Sequence, residues 1–181
     1  AENETIVLGA GCFWCVEADF EKVTGVSEVI SGYAGGEKAN PSYAAVSSGQ
    51  TRHLEAAQVI FDPAQVSYAQ LLEVFWTHVD PTDNGGQFVD RGPQYRTAIF
   101  YHNQEQKELA EKSRKALNDS GIFDQPIVTE IRQLNAFYQA EGYHQDYYKN
   151  HSIRYRFYRY NSGRDQFLKG VWKNNEFSIS Q

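Results

Sequence analysis

Two cysteines stand three residues apart in Gly11-Cys12-Phe13-Trp14-Cys15, and the chain of 181 residues holds no other sulfur, not even a methionine. The apolar run Ile6-Val7-Leu8-Gly9-Ala10 before them reads as a strand, and Val16 to Val23 after them reads as a helix. Cys12 is therefore expected to open a helix, where unpaired N–H groups and the positive dipole end favour thiolate over thiol. A second thiol one turn later, Cys15, can close a disulfide on the first. Metal sites and inert buried pairs use the same spacing. Zinc would want four ligands. No second Cys-x-x-Cys exists, and His53 or His144 could join only by coincidence of the fold. Redox chemistry at sulfur is the favoured reading, with no metal. Phe13 and Trp14 could wall a small apolar pocket of methyl size beside the nucleophile, or simply belong to the core.

The elements that must position this pair follow from periodicity and punctuation. Strands are expected at 4–10, 27–34, 54–61, 96–101 and 125–131, and helices at 12–23, 68–76 and 104–118, with Ser67 as an N-cap. Residues 37–51 read as a loop with a short helix, and 80–94 as a long irregular stretch rich in Gly and Pro. Loops of that length are usually functional or disordered, and these are rich in polar and aromatic residues. The order β-α-β, β-α-β, α-β predicts an α/β (α+β) fold. It would be a two-layer sandwich on a ferredoxin-like βαββαβ core, with added helices and a long irregular C-terminal tail. No linker, repeat or low-complexity tract divides residues 1–181, so one domain is expected.

Bulk properties narrow the partners. Formal net charge is −6, which argues against a nucleic-acid backbone. Arg154, Arg156, Arg159 and Arg164 are a local exception in a tyrosine-rich segment. No apolar run approaches a membrane span. Two cysteines cannot build a secreted-type disulfide scaffold. The chain starts at Ala1, which leaves two expectations open: a trimmed initiator Met with a default cytoplasmic location, or an exported form after removal of a presequence. Nothing in the sequence asks for an oligomer, so a monomer is expected.

Gly11-Cys12-Phe13-Trp14 followed by Glu17 resembles the active-site signature of the peptide methionine sulfoxide reductase A family. Further segments keep the order and spacing of that family. They are Ser31-Gly32-Tyr33-Ala34-Gly35-Gly36, Asn40-Pro41-Ser42-Tyr43, His53-x-Glu55, Asp80-Pro81-Thr82, Asp90-x-Gly92-x-Gln94-Tyr95-Arg96 and Glu141-x-Tyr143-His144-Gln145-x-Tyr147. The resemblance spans residues 6 to about 160. It implies that Cys12 is the nucleophile, attacking the sulfoxide sulfur and leaving a sulfenic acid. It implies Glu55 as the proton donor to the sulfoxide oxygen, which an apolar strand environment would keep protonated. It implies that Tyr43 and Tyr95 hydrogen-bond that oxygen. Phe13 and Trp14 would hold the methyl group, and Asp90, His144 and Tyr147 would support substrate binding, with Tyr155 a weaker candidate. Preference for the S epimer, recycling by thioredoxin and the absence of any metal or organic cofactor follow from the same resemblance.

The chain departs from the family in three places. Cys15 stands where the signature commonly has Gly. The tail lacks the resolving cysteines many members keep, and Tyr155-Arg156 falls where their Tyr-Cys pair would. Arg52 precedes His53 where Gly is usual, which brings a positive charge near Glu55 and would favour its ionised form. The expectation is a Cys12–Cys15 disulfide, with reduction by an external thiol as the rival. A general thiol–disulfide oxidoreductase and a non-enzymatic peptide- or sugar-binding module are the competing functions.

Overall fold

A computed structural model describes residues 2–179. Strand β1 (Glu4–Ala10) lies between β3 (Leu54–Phe61) and β6 (Thr97–Tyr101), antiparallel to both, with Leu8 opposite Ala57 and Ile99. A strand with neighbours on both sides and cover on both faces needs no polar alternation, which is why Ile6 to Ala10 are all buried. Alternation survives in the direction each side chain takes. Ile6 and Leu8 join the main core with Val59, Phe61, Leu71, Leu72, Phe75, Trp76 and Ile99. Val7 faces the opposite layer with Ala34, Leu54, Ala56, Ala98 and Phe100, under Leu134 and Phe137.

With β2 (Val26–Ala34), β7 (Glu130–Gln133) and β8 (Phe137–Gln139), the sheet order is β7-β6-β1-β3-β2-β8. Its middle four strands, β6-β1-β3-β2, run antiparallel in the order a βαββαβ unit requires. The connecting helices are α1 (Phe13–Phe20) and α3 (Tyr68–Trp76). The N-terminus of α3 is a capping box: Ser67 Oγ accepts from Gln70 N at 3.0 Å, and Gln70 Oε1 accepts from Ser67 N at 2.8 Å. Trp76 Nε1 then donates to Ser113 Oγ at 2.9 Å, fixing α3 to α4 (Gln104–Asp119). The expected α+β sandwich is the one observed.

Three boundaries differ from expectation. The first helix is shorter than 12–23, because its C-cap falls at Glu21. The strand expected at 125–131 joins the sheet only from Glu130, parallel to β6; before that, Val128 N bonds the Pro81 carbonyl instead of a ladder partner. The third difference is the largest. The segment expected as an irregular tail folds into α5 (Tyr147–Asn150), α6 (Ser152–Ser162) and α7 (Arg164–Trp172), the last two hinged at Gly163 with φ +86°. On α6 the apolar Ile153, Phe157 and Tyr160 are exposed while Tyr155 and Ser162 are buried, so hydrophobic periodicity points to the wrong face.

Candidate active site

The junction between β1 and α1 is built around a glycine. Gly11 has φ +85°, and a Cβ there would sit 2.7 Å from Gln87 Cβ and 2.9 Å from Arg164 Nη2. Gln87 is itself locked. Its Oε1 accepts from Asp80 N at 2.9 Å, and its Nε2 donates to the Asp80 and Gly86 carbonyls at 2.7 and 2.8 Å. This fixes the irregular stretch, with its short strands β4 (Gly86–Gln87) and β5 (Asp90–Arg91), against the start of α1. Cys12 is the N-cap residue, and its carbonyl accepts from Cys15 N at 3.1 Å.

Both thiols are free and buried, and they hydrogen-bond each other. Their environments are opposite. Burial pushes the Cys12 thiol well up, and Cys15, Glu55 and Asp90 push the same way. The expectation of an acidified Cys12 is therefore corrected for the resting site: the helix N-terminus is too weak to offset desolvation. Cys15 is the acidic member. The hydrogen bond from Cys12, aided by Arg164, Arg159 and the Tyr155 hydroxyl, outweighs burial and lowers it to about 7.

Glu55 lies on β3 opposite Tyr33, 2% exposed, and accepts from Phe13 N at 3.3 Å. Burial pushes its carboxyl up to about 8, even though the bonds from Phe13 N and Tyr95 favour the anion. Arg52 is exposed, so the charge feared from the sequence points into water. Its backbone carries the departure instead, at φ +62°. His53 braces the same turn, accepting from Gly36 N at 3.1 Å and bonding the Lys38 carbonyl at 2.7 Å.

Around Glu55 stand Tyr43, Tyr95 and Asp90. Tyr43 starts the short helix α2 (Tyr43–Ser47), whose N-cap Ser42 accepts from Ala45 N at 3.1 Å. Glu141 fixes its position by accepting from Tyr43 N at 3.0 Å and from Tyr33 Oη at 2.8 Å. Tyr95 ends a 3₁₀ turn, Pro93–Tyr95, and hydrogen-bonds both Tyr43 and Glu55. Burial raises both phenols, so they act as donors. Asp90 accepts from Tyr158 Oη, and burial raises its carboxyl.

An aromatic wall closes the pocket. Trp14 stacks on Tyr147 at 3.9 Å and 10°, and meets the edge of Tyr158. Its Nε1 donates to His144 Nδ1 at 3.2 Å. His144 is buried against Phe13 and Tyr43, and burial lowers its pKa, so the ring is neutral. Phe13 is buried and packs on Tyr33 and His144. Phe13, Trp14, Tyr43, Glu55, Asp90, Tyr95, His144 and Tyr147 thus stand together around the thiol pair.

Residues 4–176 match the family described as peptide methionine sulfoxide reductase. The chain belongs to that family. It is 52% identical over 171 residues to the peptide methionine sulfoxide reductase MsrA of Bacillus licheniformis, covering 94% of both chains. It is 54% identical over 172 residues to the MsrA/MsrB protein of Vibrio cholerae, which covers 95% of this chain; the chain spans only 46% of that relative's length. Mxr1 of Saccharomyces cerevisiae in reduced form superposes with a TM-score of 0.76 at 31% identity, over 83% of this chain and 87% of the other. Mxr1 in complex with Trx2 superposes with a TM-score of 0.55 at 23% identity, over 81% and 85%. The chain is a methionine sulfoxide reductase of the A type, an oxidoreductase. Sequence reasoning missed Tyr158 on Asp90, and it named Tyr155, Arg159 and Arg164 without placing them beside Cys15. The signal was present, since Tyr155 and Arg159 are four residues apart and share a helix face. Glu17 is a third omission. It is fully buried, pushed up to about 7 by desolvation, and joins α1 to β2 by accepting from Ser31 Oγ and to the C-terminal segment by accepting from Asp146 N.

Proposed function

We propose that the chain reduces the S epimer of methionine sulfoxide, free or in proteins, through a Cys12 sulfenic acid that Cys15 resolves as a Cys12–Cys15 disulfide. The observation that carries this reading is Glu55, a carboxyl held protonated by burial beside a thiol pair. The sulfur–oxygen bond of a sulfoxide breaks readily only once its oxygen gains a proton. Glu55 donates that proton and recovers one from the Cys12 thiol, so no net charge accumulates in the pocket. The sulfur–oxygen bond of the sulfoxide breaks, a bond from Cys12 sulfur to oxygen forms, and the thioether leaves as methionine. The hydroxyls of Tyr43 and Tyr95 stabilise charge on the oxygen as it develops. Phe13 and Trp14 receive the methyl group, with Asp90, His144 and Tyr147 holding the pocket's shape. A resting Cys12 thiol suits this scheme, because substrate arrival supplies the acceptor that draws its proton away.

Thioredoxin returns the disulfide to dithiol, a partner class supported by Mxr1, which has been solved with Trx2. The reading calls for no metal or organic cofactor. The rival of a general thiol–disulfide oxidoreductase needs the thiol pair but has no use for the protonated Glu55 and the Tyr43 and Tyr95 hydroxyls gathered beside it. The test is thioredoxin-coupled turnover of the separated R and S epimers of a blocked methionine sulfoxide, with thiol counts after one turnover. Wild type should release methionine from the S epimer and lose two thiols per chain. Cys12→Ser should release none. Turnover of insulin disulfides without sulfoxide reduction, or loss of two thiols by Cys15→Ser, would sink the scheme.

A further inference from the structure

One polar chain in the molecule ends on Cys15 and has no part in sulfoxide recognition. Helix α6 lays a face against the turn that carries the cysteines. Tyr155 on that face is 6% exposed, packs in one cluster with Cys12, Cys15 and Ala18, and its hydroxyl is a hydrogen-bond partner of Cys15 sulfur. Arg159, one turn later, donates from Nη1 to Tyr155 Oη at 2.9 Å. That bond occupies an acceptor site on the phenol oxygen and leaves its only proton free for sulfur. Arg159 is held in turn by Asp19, at 2.7 Å from Nη1 to Oδ1, and by Asp165, at 2.8 Å from Nη2 to Oδ1. Guanidinium, phenol and sulfur thus form a relay in which Arg159 Nη1 donates to Tyr155 Oη and the Tyr155 hydroxyl to Cys15. Arg164 adds a second fixed cation, anchored on the Ala10 and His78 carbonyls at 3.0 and 2.8 Å.

We infer that Tyr155, oriented by Arg159, is the hydrogen-bond donor that makes Cys15 the attacking thiolate in the resolving step. The inference rests on the proposed Cys12–Cys15 disulfide. In that step Cys15 sulfur gives an electron pair to the sulfur of the Cys12 sulfenic acid. The sulfur–sulfur bond forms, the sulfur–oxygen bond breaks, and the oxygen leaves as hydroxide. Hydroxide takes the Glu55 proton to become water, and solvent restores that proton. Cys15 sulfur is oxidised and the sulfenyl sulfur is reduced. A donor to sulfur costs some nucleophilicity, but that loss is only about threefold per pK unit, against about tenfold more thiolate below the pKa. The net effect near neutral pH is faster closure.

Two readouts test the role. In a Cys12→Ser background only one thiol remains, and its thiolate is followed by ultraviolet absorbance against pH. Tyr155→Phe should raise the Cys15 midpoint by roughly one pH unit or more, as loss of a charge-assisted hydrogen bond predicts. In the protein with both cysteines, one turnover with methionine sulfoxide should show disulfide closure slowed about three- to tenfold relative to methionine release, with a sulfenic acid that a carbon nucleophile traps. Arg159→Gln should shift both readouts the same way and at least as far, because the guanidinium also acts on Cys15 directly. Tyr155→Phe carries the test if Arg159→Gln fails to fold. An unmoved Cys15 midpoint with an unmoved ratio of the two steps overturns the role of Tyr155 while leaving the disulfide standing. Loss of only one thiol by wild type overturns the disulfide itself, and this inference with it.

Discussion

The two sulfurs share a turn of helix but not an environment. On the Cys12 side stand Glu55, Tyr43 and Tyr95, acids that burial keeps protonated, with Asp90, whose carboxyl burial also pushes up. On the Cys15 side stand Arg159, Arg164 and Tyr155. The first side has protons to give to a leaving oxygen. The second has positive charge to hold a thiolate. In the proposed scheme sulfoxide reduction uses the first property and disulfide closure the second, so each thiol would have one task. Fold anatomy follows the same division. Strands β1, β3 and β5 and the short helix α2 build the acid side, and α6 and α7 build the cationic side.

The sharpest way to break this division is to remove the acid. Glu55→Gln keeps the shape and the acceptor for Phe13 N but has no proton to lend. Methionine release in one turnover should slow by about 10²–10⁴, or ~3–5 kcal/mol of barrier, while the Cys15 titration stays near its wild-type position. In wild type the same step should fade as pH rises through about 8, where Glu55 ionises. Stability carries a matching sign. The folded state keeps the Glu55 proton up to about 8, whereas the unfolded chain loses it near the usual value of 4.5. Between those limits the folded form binds more protons, so Glu55 makes wild type less stable as pH rises. The difference in melting temperature between the two proteins should move in favour of Glu55→Gln across that window. A flat difference would mean that the carboxyl is solvated and the acid side is not what it is drawn to be.

Arg164→Leu probes the other side. The guanidinium is 2% exposed, lies 4.8 Å over the Phe88 ring and satisfies two carbonyls. Leucine leaves the Ala10 and His78 oxygens without this donor, at a cost of about 2–5 kcal/mol in urea unfolding. It should also raise the Cys15 midpoint. Destabilisation with an unmoved midpoint would make Arg164 a strut alone and leave the cationic side to Arg159.

The same division separates what the sequence shows from what it hides. Cys12 and Glu55 sit in segments with clear signals, a buried strand and a β-rich run stopped by Asp62-Pro63, whereas Tyr43, Tyr95 and Asp90 lie in or beside loops and are reached through the family resemblance. The α3 boundaries are legible for the same reason, since Ser67 and Gln70 close a capping box. The cationic side is hidden because α6 buries Tyr155 while exposing Ile153, Phe157 and Tyr160, so its apolar residues mark its outer face. Its partners are also distant in sequence: Arg159 pairs with Asp19, and Tyr158 with Asp90. No local pattern encodes such pairings. The direction of the Cys12 shift was hidden too. A helix N-terminus is visible in a sequence, whereas the depth of burial that overrides it is not.

Arg52 offers the smallest and most discriminating test of the acid side. It holds φ +62°, a conformation that costs a residue with a Cβ roughly 1–2 kcal/mol and costs glycine almost nothing. Glycine is more mobile in the unfolded chain, which takes back about 0.5–1 kcal/mol. Arg52→Gly should therefore stabilise by about 0–1.5 kcal/mol, a rise of about 3–6 °C at most for a chain of this size. Its effect on chemistry should be smaller still. The guanidinium lies in water, where exposed charges are screened. Loss of a cation that reached Glu55 would move the basic limb of methionine release upward, because the carboxylate would be less stabilised. That limb should stay at about 8. A clear upward move would show that a surface cation reaches the acid side, and that the cations on the Cys15 side have no special claim to their thiol.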